Sequence, residues 1–170
     1  MDKMPLTALV FQSIPESIIL FALGLTLLGV PLRWKQISAA GIILAVISYF
    51  IRGALLPYGV HTLVHLLAMS ILIIFFFRTS FPLAATAALL SLVILGFLEV
   101  LLWPFIFFIT GLSVKQIWAQ RALRILIPLP ELIILGMMTW WLVKRKITIP
   151  CPWSFQQKAA EKKPKQEQDS

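Results

Sequence analysis

Apolar runs of helical length, separated by short clusters of Pro, Gly and charged residues, set the pattern of this chain. Ile71 to Phe77 and Val100 to Ile109 are continuously apolar, without the polar–apolar alternation of a barrel wall, so the runs predict helices rather than strands. Five of them approach the roughly 20 residues that span a hydrocarbon core at about 1.5 Å per residue. The predicted spans are about 12–30, 37–52, 60–77, 83–109 and 125–143.

The boundaries follow from local chemistry. Pro15 suits a first helical turn and Glu16 the positive end of the helix dipole, while Pro31-Leu32-Arg33-Trp34-Lys35 closes helix 1 with an aromatic and basic interface signal. Helix 2 ends at Arg52-Gly53, and Pro57-Tyr58-Gly59 leads into helix 3, which stops at Arg78-Thr79-Ser80-Phe81-Pro82. Pro104 removes a backbone donor inside helix 4 and predicts a kink. Thr110 to Arg124 mixes polar residues with Leu, Val, Ile and Trp at helical spacing and reads as a short amphipathic surface helix. The expected fold is therefore an all-α integral membrane protein. Residues 1–146 form a bundle of about five transmembrane helices, and 147–170 form a basic tail too polar to build a core.

Composition agrees: 59% of the 170 residues are hydrophobic and 13% charged, and the mean hydropathy is +0.91. A soluble domain of this size has no interior large enough for that much apolar surface. The net charge of +8 resides in loops and tail, which points to lipid head groups and topology rather than nucleic acid. With the C-terminus inside, ten of the fifteen basic residues are cytoplasmic, among them Arg33, Lys35, Arg78 and Lys144 to Lys146. Lys3, Arg52, Lys115, Arg121 and Arg124 are then outside, a bias favouring N-out and C-in in a bacterial inner membrane. The single Cys151 allows no intrachain disulfide and reads as an ordinary thiol. No small-residue cleavage site follows the first apolar run, so a retained first helix is expected.

Ionisable groups inside spans are costly and normally line an interior, a cavity or an interface. With alternating helix directions, Glu16, Arg52, His61, His65 and Glu131 share one half of the bilayer, the predicted outer half. Glu99 is expected deeper, near mid-membrane. His61 and His65, four apart, share a helix face. Two histidines at this spacing, with no cysteine or aspartate in the spans, do not define a zinc or haem site, so no metal or cofactor is assigned. Arg52 with Glu16, Glu99 or Glu131 makes a candidate ion pair. Tyr58, Trp103 and Trp118 stand near the same level. The chain carries no G-x-S-x-G, H-E-x-x-H or Walker A motif, and no catalytic residue is assigned.

Pro15-Glu16-Ser17-Ile18-Ile19-Leu20 recurs as Pro130-Glu131-Leu132-Ile133-Ile134-Leu135, which a shared helix-start grammar explains as well as duplication does. Phe11 to Glu16, the Trp34-Lys35 turn, Arg52, Pro57 to Thr62 and Arg124 to Pro130 together make residues 11–146 similar to a known family region. That region is the multi-span N-terminal membrane part of certain Firmicutes-type bacterial sensor histidine kinases. The resemblance implies a membrane module that detects a stimulus. The stretch after Lys146 has no histidine and no glycine-rich nucleotide site, so kinase activity is not carried over. The expected function is a non-catalytic sensor-like or regulatory module that acts through a partner protein. The alternatives are a substrate-capturing transporter subunit, with Ser38 to Gly41 and Ala84 to Ala88 as a docking face, or a purely structural membrane protein.

Overall fold

Three of the helices begin with the same device, a large apolar residue followed by proline, whose missing N–H costs nothing in a first turn. These are α1 (Ile14–Leu27), α4 (Phe81–Thr110) and α5 (Leu129–Arg145). Between them lie α2 (Trp34–Gly53) and α3 (Val60–Phe77), and a π-helical turn, Leu9–Ser13, precedes α1. The computed structural model describes residues 9–53, 60–111 and 126–149, and among these there is no strand. Thr110 closes α4; the rest of the predicted amphipathic helix, the tail beyond Ile149, Tyr58, Trp118, Cys151 and the side chain of Arg52 lie outside the described residues.

Three helices are long and apolar enough to cross a membrane, α2, α3 and α4, rather than the five expected. The first predicted span is divided: only 14 residues of it are α-helical, and α5 has 17. Pro104 does not end α4, which runs 30 residues without interruption through it.

Helices α1 and α5 end alike. Gly29 adopts φ +70° while its N–H bonds Thr26 O and that of Val30 bonds Leu25 O. Lys146, at φ 52°, repeats the pattern, its N–H bonding Val143 O and that of Ile147 bonding Leu142 O. Both are left-handed caps that satisfy the last carbonyls of their helices. Ile149 N–H then donates to Leu27 O at 2.6 Å, and a Cβ at Gly136 would meet Ile19 Cδ1 at 3.4 Å, so α1 and α5 run parallel with their C-terminal ends tied.

Helix α1 is the centre of the bundle. It packs on α2, α4 and α5, while α3 closes the ring between α2 and α4. Every residue from Leu20 to Leu28 is buried, so its all-round apolarity meets protein on every side. The outer helices turn large apolar side chains outward, including Phe50, Phe75, Phe97 and Trp140, with Phe108 at 88% exposure. Lipid contact accounts for such a surface, and water does not.

Because lipid tails are as apolar as leucine, helices in a bilayer associate through close packing and hydrogen bonds. Gly24 supplies the closest approach: a Cβ there would stand 2.5 Å from Ala87 O and 2.7 Å from Ser91 Oγ on α4. Four buried hydroxyls are satisfied within their own helices, Thr26 by Ala22 O, Ser70 by Leu66 O, Ser91 by Ala87 O and Thr139 by Leu135 O. The structure therefore predicts opposite outcomes at two glycines. Gly24→Ala forces α1 from α4 and lowers stability by about 1–3 kcal/mol. Gly96→Ala, whose Cβ meets nothing within 4 Å, raises it by up to about 1 kcal/mol through helix propensity. Thermal unfolding of the purified variants in detergent measures both.

Candidate functional site

The up-down order of the helices collects the carboxylates and histidines of the described spans, and Arg52, at one end. Glu16 lies in the first turn of α1 and Glu131 in the first turn of α5, and these helices are parallel. His61 and His65 open α3. Arg52 stands one residue from the end of α2, on the same side. The backbone thus brings all these predicted positions to one end of the bundle.

Glu99 is the exception in depth and exposure. Helices α3 and α4 are antiparallel across the short link from Arg78 to Ser80, and α4 is 30 residues long against 18 for α3. Counting outward from the link sets Glu99 level with the first turn of α3, not near the middle of the bundle, with eleven residues of α4 continuing past it. The expected mid-membrane depth follows from counting back from the far end of α4, whereas counting from the link, with the spans read from the sequence, already puts Glu99 level with the start of α3. The Glu99 side chain is exposed at the rim, Glu16 is half-buried, and Glu131 is only 7% exposed. Glu99 and Glu16 both stand close enough to Glu131 for their charges to act on its carboxyl. One oxygen of Glu131, Oε1, is buried without a hydrogen-bond partner among the described residues.

The histidines differ from each other. His65 is buried and His61 half-buried, with ring centroids 6.3 Å apart and planes tilted by 43°. Ser48 Oγ on α2 lies 2.9 Å from His65 Nδ1, a buried hydrogen bond that ties α2 to α3. Ser48 was not among the residues predicted from sequence. Its only signal is a hydroxyl in an apolar run, one of several that look alike until the fold selects one as the partner of a histidine. Beyond Glu99, Trp103 and Phe107 pair their rings at 5.5 Å on the overshooting part of α4. Among the described residues no three His, Cys, Asp or Glu side chains are grouped to hold a metal ion.

The arrangement offers a carboxylate in a buried setting, two more carboxylates near it, and a histidine held in orientation by a neighbouring helix. Such groups can accept hydrogen bonds from a cationic or protic ligand, or exchange protons. If the Ser48–His65 bond joins the two helices, Ser48→Ala and His65→Ala are each destabilising and are not additive. A double-mutant cycle on thermal stability should give a coupling of about 0.6–1.7 kcal/mol, the range of interhelical hydrogen bonds in membranes. No protein-family model, curated protein or solved structure matches this chain.

Proposed function

We propose that this chain is a non-catalytic, sensor-like membrane module that binds a small ligand or protons at its acidic end and passes the change to a partner protein. The observation that carries the reading is the convergence of Glu16, His61, His65, Glu99 and Glu131 from four helices on one end, with Glu131 buried. Burial of an ionisable group in an apolar bundle is costly, and such groups are retained chiefly where they bind or relay something. The resemblance of residues 11–146 to histidine-kinase membrane regions motivates the sensor reading.

In this reading all five helices lie in a bacterial cytoplasmic membrane, with the acidic end outward and Lys144 to Lys146 in the cytoplasm. At 1.5 Å per residue α1 and α5 extend about 21 and 26 Å, short of a 30 Å core. Shielding offsets this for α1, whose buried stretch meets other helices rather than lipid. The route to the cytoplasm is the α1–α5 pair: each carries a glutamate at the acidic end, and Ile149 joins them at the other. The transporter alternative needs a docking face of small residues. Of the candidate faces, Ala40, Gly41, Ala84, Ala87 and Ala88 are buried inside the bundle, whereas Ser38, Ala39, Ala85 and Thr86 are half-buried.

Three measurements test the proposal. Native mass spectrometry of the purified protein should detect a small molecule retained by the wild type and lost in Glu131→Gln. His61→Ala and Arg52→Ala should each weaken signalling output or partner association, and unchanged behaviour in both variants would show the site to be wrong. A protease-sensitive tag at the C-terminus should be cut only after the membrane is opened from the cytoplasmic side.

A further inference from the structure

Helix α5 seats on the bundle along one narrow face. Its buried residues are Glu131, Leu135 and Thr139, each four apart and therefore stacked on one side, while Ile133, Met137 and Trp140 are exposed on the other. Leu135 is apolar and the Thr139 hydroxyl bonds Leu135 O, so both suit an apolar seam. The third member of the stripe is a carboxyl.

The two ends of α5 are held differently. At its C-terminal end the N–H of Ile149 donates to Leu27 O at 2.6 Å, and a Cβ at Gly29 would meet Thr148 Cγ2 at 3.4 Å, so the chain leaving α5 is tied to α1. At its N-terminal end the first buried residue of the helix is Glu131. Donors for a carboxylate are scarce there: Pro128 and Pro130 have no N–H, and the N–H of Leu132 is taken by Pro128 O at 3.1 Å. Glu131 Oε1 is buried with no hydrogen-bond partner among the described residues. The α5 dipole favours negative charge in its first turn, but it does not supply the missing hydrogen bond.

The charges facing this carboxyl do not offset its burial. Helices α1 and α4 pack against α5, and the one ionisable residue on each is again an acid, Glu16 and Glu99, whose charges act on Glu131. Lys144 and Arg145 of α5 itself are thirteen and fourteen residues on, about 20 Å along the helix. Arg52, His61 and His65 stand at the same end on α2 and α3. An oxygen as enclosed as Oε1 leaves no room for the atoms of a ligand. A proton needs none, and a neutral acid costs far less to bury than a carboxylate without a donor.

We infer that Glu131 is the proton-binding group of the acidic end, and that its protonation docks the first turns of α5 on α1 and α4. Loss of the proton to water leaves a carboxylate that is drawn out of the seam. The N-terminal half of α5 then parts from Glu16 and Glu99, while the Ile149–Leu27 bond holds the other end. Rising pH opens the helix at the acidic end, and falling pH closes it. This role rests on the acidic end being the functional site and deepens that reading: it names the proton as the ligand of Glu131 and α5 as the element that moves.

The test is amide hydrogen–deuterium exchange of the full chain, purified in detergent and read by mass spectrometry. Wild type and Glu131→Gln, which keeps the shape of the protonated acid without its charge, are compared at each pH so that the intrinsic pH dependence of exchange cancels. Residues 132–138 should exchange alike in the two proteins at about pH 5 and about tenfold faster in the wild type at about pH 9, with residues 140–146 alike throughout. Glu16→Gln removes one of the facing charges and should move the opening to lower pH, which keeps the test decisive if Glu131→Gln does not fold. Equal exchange of wild type and Glu131→Gln at every pH overturns the inference. So does the opposite sign, protection lost on acidification, which would make Glu131 the partner of a cation such as Arg52. An equal change in residues 140–146 is general unfolding and overturns it too. A pH-dependent α5 whose partner association is the same at both limits supports the proton site and overturns instead the signalling role proposed for the acidic end.

Discussion

The structure depends on the close approach of α1 and α4 at Gly24. In a bilayer no hydrophobic force draws one apolar helix to another, so the bundle rests on dispersion contacts and a few hydrogen bonds. Dispersion falls off steeply with separation, which makes a bare backbone facing Ala87 and Ser91 valuable. The small residues Ala84, Ala87 and Ala88 line the same side of α4, and the buried leucines of α1 fill the space around them. With α1 fixed there, α2 and α5 take its remaining sides and α3 bridges α2 to α4.

That central position determines where polar groups can be. The hydroxyls of Thr26, Ser70, Ser91 and Thr139 bond carbonyls of their own helices, so they need no partner on another helix and impose no register. Ser48 and His65 are different, because their bond crosses from α2 to α3 and fixes how far one helix slides along the other. The short link between α3 and α4 separately sets the first turn of α3, with His61, level with Glu99.

The parallel α1–α5 pair links the two ends of the bundle. Glutamates open both helices and left-handed caps close both, with Gly29 in one and Lys146 in the other. The backbone bond from Ile149 to Leu27 makes the pair a continuous connection between the acidic end and the segment entering the tail. The repeated Pro-Glu start visible in the sequence is therefore matched by the helix ends, although Gly29 and Lys146 do not stand at equal distances from those starts.

The sequence by itself determined the helical class, the hairpin of α2 and α3 and the ends of α3, because apolar runs, prolines and basic stops act locally. It also determined that Glu16, Arg52, His61, His65 and Glu131 gather at one end, since alternating direction follows from short links. It could not determine which helix is central: α1, α3 and α4 are apolar on all sides, and only packing decides which of them is covered by protein. Nor could it choose Ser48 from the other hydroxyls as the partner of His65. Those choices belong to contacts between residues distant in the chain, and the tertiary structure alone makes them.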